Sequence, residues 1–159
     1  MKPVTHELRN KIKMMIKNKE DISDLLDNID IRGEDLSYAI IKRFNRTKQN
    51  LSRTKFTYAV IGEEGIVTNL SGNIFRECDF CNTHFLGTVY MRRCDCRGSN
   101  FSCAWMHNVE YQYSDMRQCN FCEAILRLGS DYGYKTKVDK NIFLDLAKHW
   151  NIKVEIKDE

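Results

Sequence analysis

Between Leu70 and Leu126 a large or apolar residue recurs at every fifth position. The run reads Leu70, Phe75, Phe80, Phe85 and Tyr90; after one extra residue it resumes as Cys96, Phe101, Met106, Tyr111, Met116, Phe121 and Leu126. Two positions before each lie Thr68, Asn73, Cys78, Thr83, Thr88, Cys94, Ser99, Ala104, Val109, Ser114, Cys119 and Ala124, all small or β-branched except Asn73. A looser series upstream keeps the step through Leu26, Ile31, Leu36, Ile41, Leu51, Phe56, Ile61 and Ile66, with Arg46 out of character. A helix repeats every ~3.6 residues and a strand every ~2, so neither produces this pairing of large and small. A chain that turns a corner every five residues does, with both kinds of side chain filling the space inside.

The motifs Cys78-Asp-Phe-Cys-Asn82, Ser99-Asn-Phe-Ser-Cys103 and Cys119-Asn-Phe-Cys-Glu123 resemble the pentapeptide-repeat family. The resemblance covers residues 26–128 and is specific from Thr68 onward. It implies an all-β solenoid: a right-handed quadrilateral β-helix with four repeats to a coil and about five coils, rungs about 4.8 Å apart. Taking every fourth repeat predicts that Ile41, Ile61, Phe80, Phe101 and Phe121 share one face, preceded by Ala39, Ala59, Cys78, Ser99 and Cys119. Phe80, Phe101, Phe121, Cys78, Ser99 and Cys119 are thus the expected core ladder.

A solenoid leaves unpaired backbone and apolar core at both ends, so caps are expected. Thr5 can cap a helix whose Leu8, Ile12, Met15 and Ile16 share one side. Beyond the Gly129 to Gly133 turn, the spacing predicts a helix over 140–149 and a short strand through Ile152, Val154 and Ile156. The expected divisions are a helical cap at 1–22, the solenoid at 23–128 and a capping or dimerisation segment at 129–159.

Charge limits the partners. The net charge is +3, and residues 26–126 carry 12 acidic and 12 basic side chains, which announces no nucleic-acid binder. No apolar leader or membrane-length run is visible, and seven cysteines, an odd number, fit reduced thiols; the expectation is a soluble cytoplasmic protein. Cys78-Asp-Phe-Cys81 and Cys119-Asn-Phe-Cys122 mimic a four-thiolate zinc pattern. The repeat sends Cys78 and Cys119 inward and Cys81 and Cys122 outward, so no metal or disulfide is expected. No cofactor fingerprint, nucleophile pattern or catalytic motif is present, and His84 and His107 read as surface residues, so no enzyme is expected.

Three surface features remain. Arg76, Arg97 and Arg117 should form a ladder that could hold phosphates, or pair with Asp95 and Asp115 on the same face. Lys42, Arg43, Arg46, Lys48, Arg53 and Lys55 form a stretch without acids between Leu36 and Gly62, a candidate contact for nucleic acid or an acidic partner. Leu86, Trp105, Ile125 and Leu128 should point outward together, either a surface for the C-terminal helix to fold back on or a candidate dimer or partner interface. The leading expectation is a non-catalytic protein-binding scaffold, an inhibitor or adaptor of a nucleic-acid enzyme, with a homodimer through the C-terminal segment as a candidate assembly. Direct nucleic-acid binding through the basic faces is one alternative. The resemblance supplies another: some relatives are dimers that mimic duplex DNA and bind gyrase or topoisomerase. That mimicry needs a strongly acidic surface, which this repeat region lacks.

Overall fold

The computed structural model describes residues 1–126 together with Thr136, Val138 and Asp139. The helix expected over 140–149, the strand through Ile152, Val154 and Ile156, and Leu128 lie outside the described residues.

Over the described residues the chain is a β-solenoid with little helix. Most of its corners share one construction. The carbonyl of Phe56 accepts a hydrogen bond from the amide of Ala59 at 2.8 Å, and the same bond joins Thr83 to Phe80, Ala104 to Phe101 and Ala124 to Phe121, each at 3.0 Å. The third residue of each turn has positive φ: 57° at Tyr58, 55° at Asn82, 55° at Cys103 and 57° at Glu123. A four-residue turn so closed, with a left-handed third residue, is of type II character. Its fourth residue swings inward, which is why Ala59, Thr83 and Ala104 are buried.

The Asp or Asn before the turn stabilises it. Asp79 Oδ1 accepts from the Cys81 amide at 3.0 Å, Asn100 Oδ1 from Ser102 at 3.1 Å and Asn120 Oδ1 from Cys122 at 3.0 Å. These are Asx turns, in which a short side chain satisfies a backbone donor that the corner would orphan. The polar repeat position therefore has a backbone role.

Between successive rungs the backbone pairs in parallel. The amides of Phe56, Phe80 and Phe101 donate to the carbonyls of Asp79, Asn100 and Asn120, each at 2.7 Å. Rung sits over rung, so like side chains stack. The rings of Phe56, Phe80, Phe101 and Phe121 lie at centroid distances of 5.0, 4.9 and 5.3 Å, with interplanar angles of 8° or less.

The longer elements bear on the surfaces. Strands β1 (Lys2–Pro3) and β2 (Ile29–Asp30) pair in parallel. Strands β3 (Ile40–Ile41), β4 (Val60–Asn69), β5 (His84–Tyr90), β6 (Trp105–Met106) and β8 (Ile125–Leu126) follow one another across a single sheet, with β7 (Val109–Glu110) on β5. Helix α1 (His6–Lys17) starts at Thr5, whose Oγ1 accepts from the Leu8 amide at 3.1 Å. It buries Ile12 and packs Leu8, Met15 and Ile16 against the core, and Arg9 ties it to Glu34 at 2.5 Å.

Four expectations are corrected. Ile41 and Ile61 do not stack with Phe80; Ile41 pairs with Ile61 and Ile61 with Phe85, one corner further on. The cause is an insertion: the register shifts between Gly62 and Val67, so this rung needs four more residues than its predecessor. Ile66 lies in that insertion and is exposed, not in the core. Tyr90 and Thr88 also give way to Met91 and Val89, both fully buried. The extra residue thus falls before Met91 and not after Tyr90.

Arg46 is the fourth. It sits inside, 6% exposed, where its Nη2 donates to the carbonyls of Leu26 and, at 2.9 Å, Ile29. Its guanidinium lies 5.7 Å from the Phe44 ring, and Nη1 has no hydrogen-bond partner. Asn73, the exception among the small residues, is buried above it. It accepts from the Gln49 amide and donates to the Arg46 carbonyl, both at 2.8 Å.

Candidate functional site

The small inward residues are donors as well as fillers. Thr54 donates to the Ile31 carbonyl at 2.8 Å, Cys78 to Leu51 at 3.1 Å, Ser99 to Phe75 and Cys119 to Cys96 at 2.9 Å. Each reaches the corner carbonyl of the previous rung, so buried carbonyls are satisfied from within. Phe80, Phe101, Phe121, Cys78, Ser99 and Cys119 are all buried. Burial lifts the thiols of Cys78 and Cys119 to about 12, which leaves them unreactive.

Among the described residues of the coils, the side chains open to solvent lie on the outer rows. One row reads Asp35, Lys55, Asp79, Asn100 and Asn120, and another Asn50, Ile74, Asp95 and Asp115. A third reads Asn69, Tyr90 and Glu110. The remaining row starts at Asp21 and continues as Ile40, Val60, His84, Trp105 and Ile125. Past Asp21 it has no capping carboxylate or amide. Trp105 and Ile125 are 49% and 47% exposed, and the rings of His84 and Trp105 lie 5.4 Å apart. Leu86, half-buried, flanks them. The repeat register singles out Leu86, Trp105 and Ile125; it hides Ile40 and Val60, on the same row, because the insertion after Ile61 sets Ile41 and Ile61 on the face of Phe85 and not of Phe80.

The insertion flanks this row. Gly62 and Gly87 have φ of 95° and 67°, and a Cβ on Gly87 would stand 2.3 Å from the Glu63 carbonyl and 2.5 Å from that of Ile66. Only glycine allows the insertion to cross its neighbour so closely. Ile66 and Val67 are left 46% and 47% exposed.

The arginine ladder is paired. Arg76 and Arg97 reach Asp95 at 2.6 and 2.8 Å, and Arg97 and Arg117 reach Asp115 at 3.8 and 2.6 Å. Hydrogen bonds from Arg97, then Arg76, hold the Asp95 carboxyl well below the usual carboxylate range. The guanidiniums pair with the carboxylates of their own face.

The basic stretch does not form a patch. Because the chain turns every five residues, Lys42 and Arg43, Lys48, Arg53 and Lys55 are carried to successive corners and sides of the coil. Lys42 pairs with Glu63 at 3.2 Å, Arg43 with Asp24 at 3.0 Å and Arg53 with Glu77 at 2.9 Å. Arg46 is in the core. A run of charge in sequence becomes a belt in space.

All seven cysteines are free; Cys78, Cys94, Cys96 and Cys119 are buried, Cys81 is half-buried and Cys103 and Cys122 are exposed. Among the described residues no group of three or more His, Cys, Asp or Glu could hold a metal ion. Among the same residues no helix is long and apolar enough to cross a membrane. At the far end Thr136 donates to the Tyr111 carbonyl at 2.7 Å, Asp139 accepts from the Gln118 amide, and Val138 packs on the core. The sequence had carried this contact as Thr136-Lys-Val138, small then apolar two positions on, overlooked behind the Gly- and Tyr-rich stretch.

No family model matches the chain, and no curated protein matches it. Among solved structures it is similar to a pentapeptide repeat protein from the Arabidopsis thaliana thylakoid lumen, at 16% identity over 75% of this chain and 74% of that one, TM-score 0.34. It is also similar to full-length QnrB1, a plasmid-mediated fluoroquinolone resistance protein, at 14% identity over 79% and 86%, TM-score 0.25. HetL, a pentapeptide repeat protein of a Nostoc cyanobacterium involved in heterocyst differentiation regulation, is 12% identical, with 70% of this chain covering 54% of that one, TM-score 0.29. The five-residue repeat of large and small inward residues, and the β-solenoid built from it, resemble those of pentapeptide-repeat proteins.

Proposed function

We propose that the protein is a non-catalytic binding scaffold that engages a protein partner through the row from Ile40 to Ile125. The observation that carries this reading is the contrast between rows. The other three are interleaved with Asp, Asn or Glu, while this one presents Ile40, Val60, His84, Trp105 and Ile125 with Leu86 beside them. Aromatic and aliphatic side chains on a flat, rigid sheet are the composition of interface centres, where tryptophan is enriched. A four-sided cross-section of about five coils, with α1 covering the first, belongs to the same reading. The balanced charge of residues 26–126 supplies neither the acidic surface of a duplex mimic nor the basic one of a nucleic-acid binder.

The test is capture from the native host with wild type and two variants as bait. Trp105→Ser should lose the partner, and Arg97→Gln, on the charged row, should keep it. Equal retention by both variants refutes the assignment of the face.

A further inference from the structure

We propose that a second copy of this chain packs antiparallel on the Ile40-to-Ile125 row, with His84 of both copies at the two-fold axis. This rests on the reading of that row as the binding surface and names its occupant.

The row has the order that a two-fold contact requires. In a self-complementary interface residue i meets j and j meets i. The parallel register sets Ile40, Val60, His84, Trp105 and Ile125 on successive rungs, so every rung of one copy finds a rung of the other at the same spacing. An axis across the row at His84 places Val60 against the partner's Trp105, small on large, and does so twice. Ile40 meets the partner's Ile125, aliphatic on aliphatic. A parallel pairing would instead stack Trp105 on Trp105 and Val60 on Val60, a clash beside a void, on a face whose backbone bonds forbid local adjustment.

The flanking corner agrees. Glu63 and Glu64 leave the chain just after Val60, and exposed His107 follows Trp105. The same axis brings that corner of each copy opposite the partner's His107, so Glu64 faces a ring N–H donor while Glu63 stays with Lys42.

Four steps of about 4.8 Å make the row about 19 Å long. With its flanks it offers roughly 300–400 Å² per copy, about half of the ~800 Å² per partner typical of a stable complex. The dimer is accordingly weak and concentration-dependent.

Sedimentation velocity of the full chain from about 10 μM to about 1 mM reads this directly. Wild type should pass from monomer to dimer across that range. Val60→Arg and Trp105→Glu should each stay monomeric, with wild-type circular dichroism and melting to show that they fold. Arg117→Gln, on another row, should dimerise like wild type. Mixing Val60→Arg with Trp105→Glu should restore a heterodimer, because only the antiparallel register sets the new charges against each other. A wild type that stays monomeric at the highest concentration, single variants that still dimerise, or a mixture that stays monomeric each overturn the proposal. If wild type is monomeric while Trp105→Ser still loses the partner captured from the host, this inference falls and the binding-face reading stands.

Discussion

Truncating Phe101 to alanine tests the register more sharply than any other single change. Its ring is fully buried and lies between Phe80 at 4.9 Å, 7° from parallel, and Phe121 at 5.3 Å, 8° from parallel. Phenylalanine-to-alanine changes in cores cost about 3–5 kcal/mol, with the upper end reached where the surroundings cannot collapse into the hole. Here they cannot. The Phe80 amide is bound to Asn100 and the Phe101 amide to Asn120, each at 2.7 Å, which fixes the rung spacing whatever the side chain. The expected loss is therefore about 4–5 kcal/mol. The control is Asn108→Ala, at a half-buried corner, where the change should stay within about 0.5 kcal/mol. Denaturant melts followed by circular dichroism measure both. Equal losses, or less than about 1 kcal/mol for Phe101→Ala, would refute the inward assignment of every fifth residue.

Two further predictions follow from local geometry. Gly87→Ala should cost about 2–4 kcal/mol, because its Cβ meets two carbonyls within 2.5 Å at a φ of 67°, whereas Gly33→Ala, at φ 71° with nothing within 4 Å, should cost only about 1 kcal/mol; melts of the two variants compare clash plus strain with strain alone. The Asp95 carboxyl is held below its unfolded value by Arg97 and Arg76, so the stability it adds is complete above about pH 4 and is lost as pH falls further. Asp95→Asn should lower stability at pH 7 and flatten that acid limb, and stability that does not change between about pH 5 and pH 2 in wild type would contradict it.

The sequence shows its fold where the period is unbroken and hides it where the chain departs from it. From Cys96 to Phe121 the step of five holds without interruption, and each of its large residues is buried. The insertion after Ile61 was invisible because Ile66 falls on the same phase as the core residues before it. Tyr90 beside Met91 offered two large residues for one inward position, and only the ladder of Val89 and Val109 decides between them. Arg46 sat in phase all along, yet its charge argued against a core place; what admits it is a pair of carbonyls, Leu26 and Ile29, contributed by a distant segment. The basic stretch misled for a related reason. Sequence proximity implies a patch on a helix or a loop, but a chain that turns every five residues spreads it round the perimeter. The apolar row was half legible, since Trp105 and Ile125 lie beyond the insertion and Ile40 and Val60 before it.

The native cysteines report inside and outside without any mutation. Maleimide labelling of the folded protein, read by peptide mass spectrometry against time, should modify exposed Cys103 and Cys122 first and half-buried Cys81 more slowly. Cys78, Cys94, Cys96 and Cys119, all buried, should react only when denaturant opens the solenoid. The pairs Cys78 with Cys81 and Cys119 with Cys122 make the test internal, because three positions separate a protected thiol from an accessible one. Native-state labelling of Cys78 or Cys119 as fast as Cys122 would contradict the five-residue register on which the whole account rests.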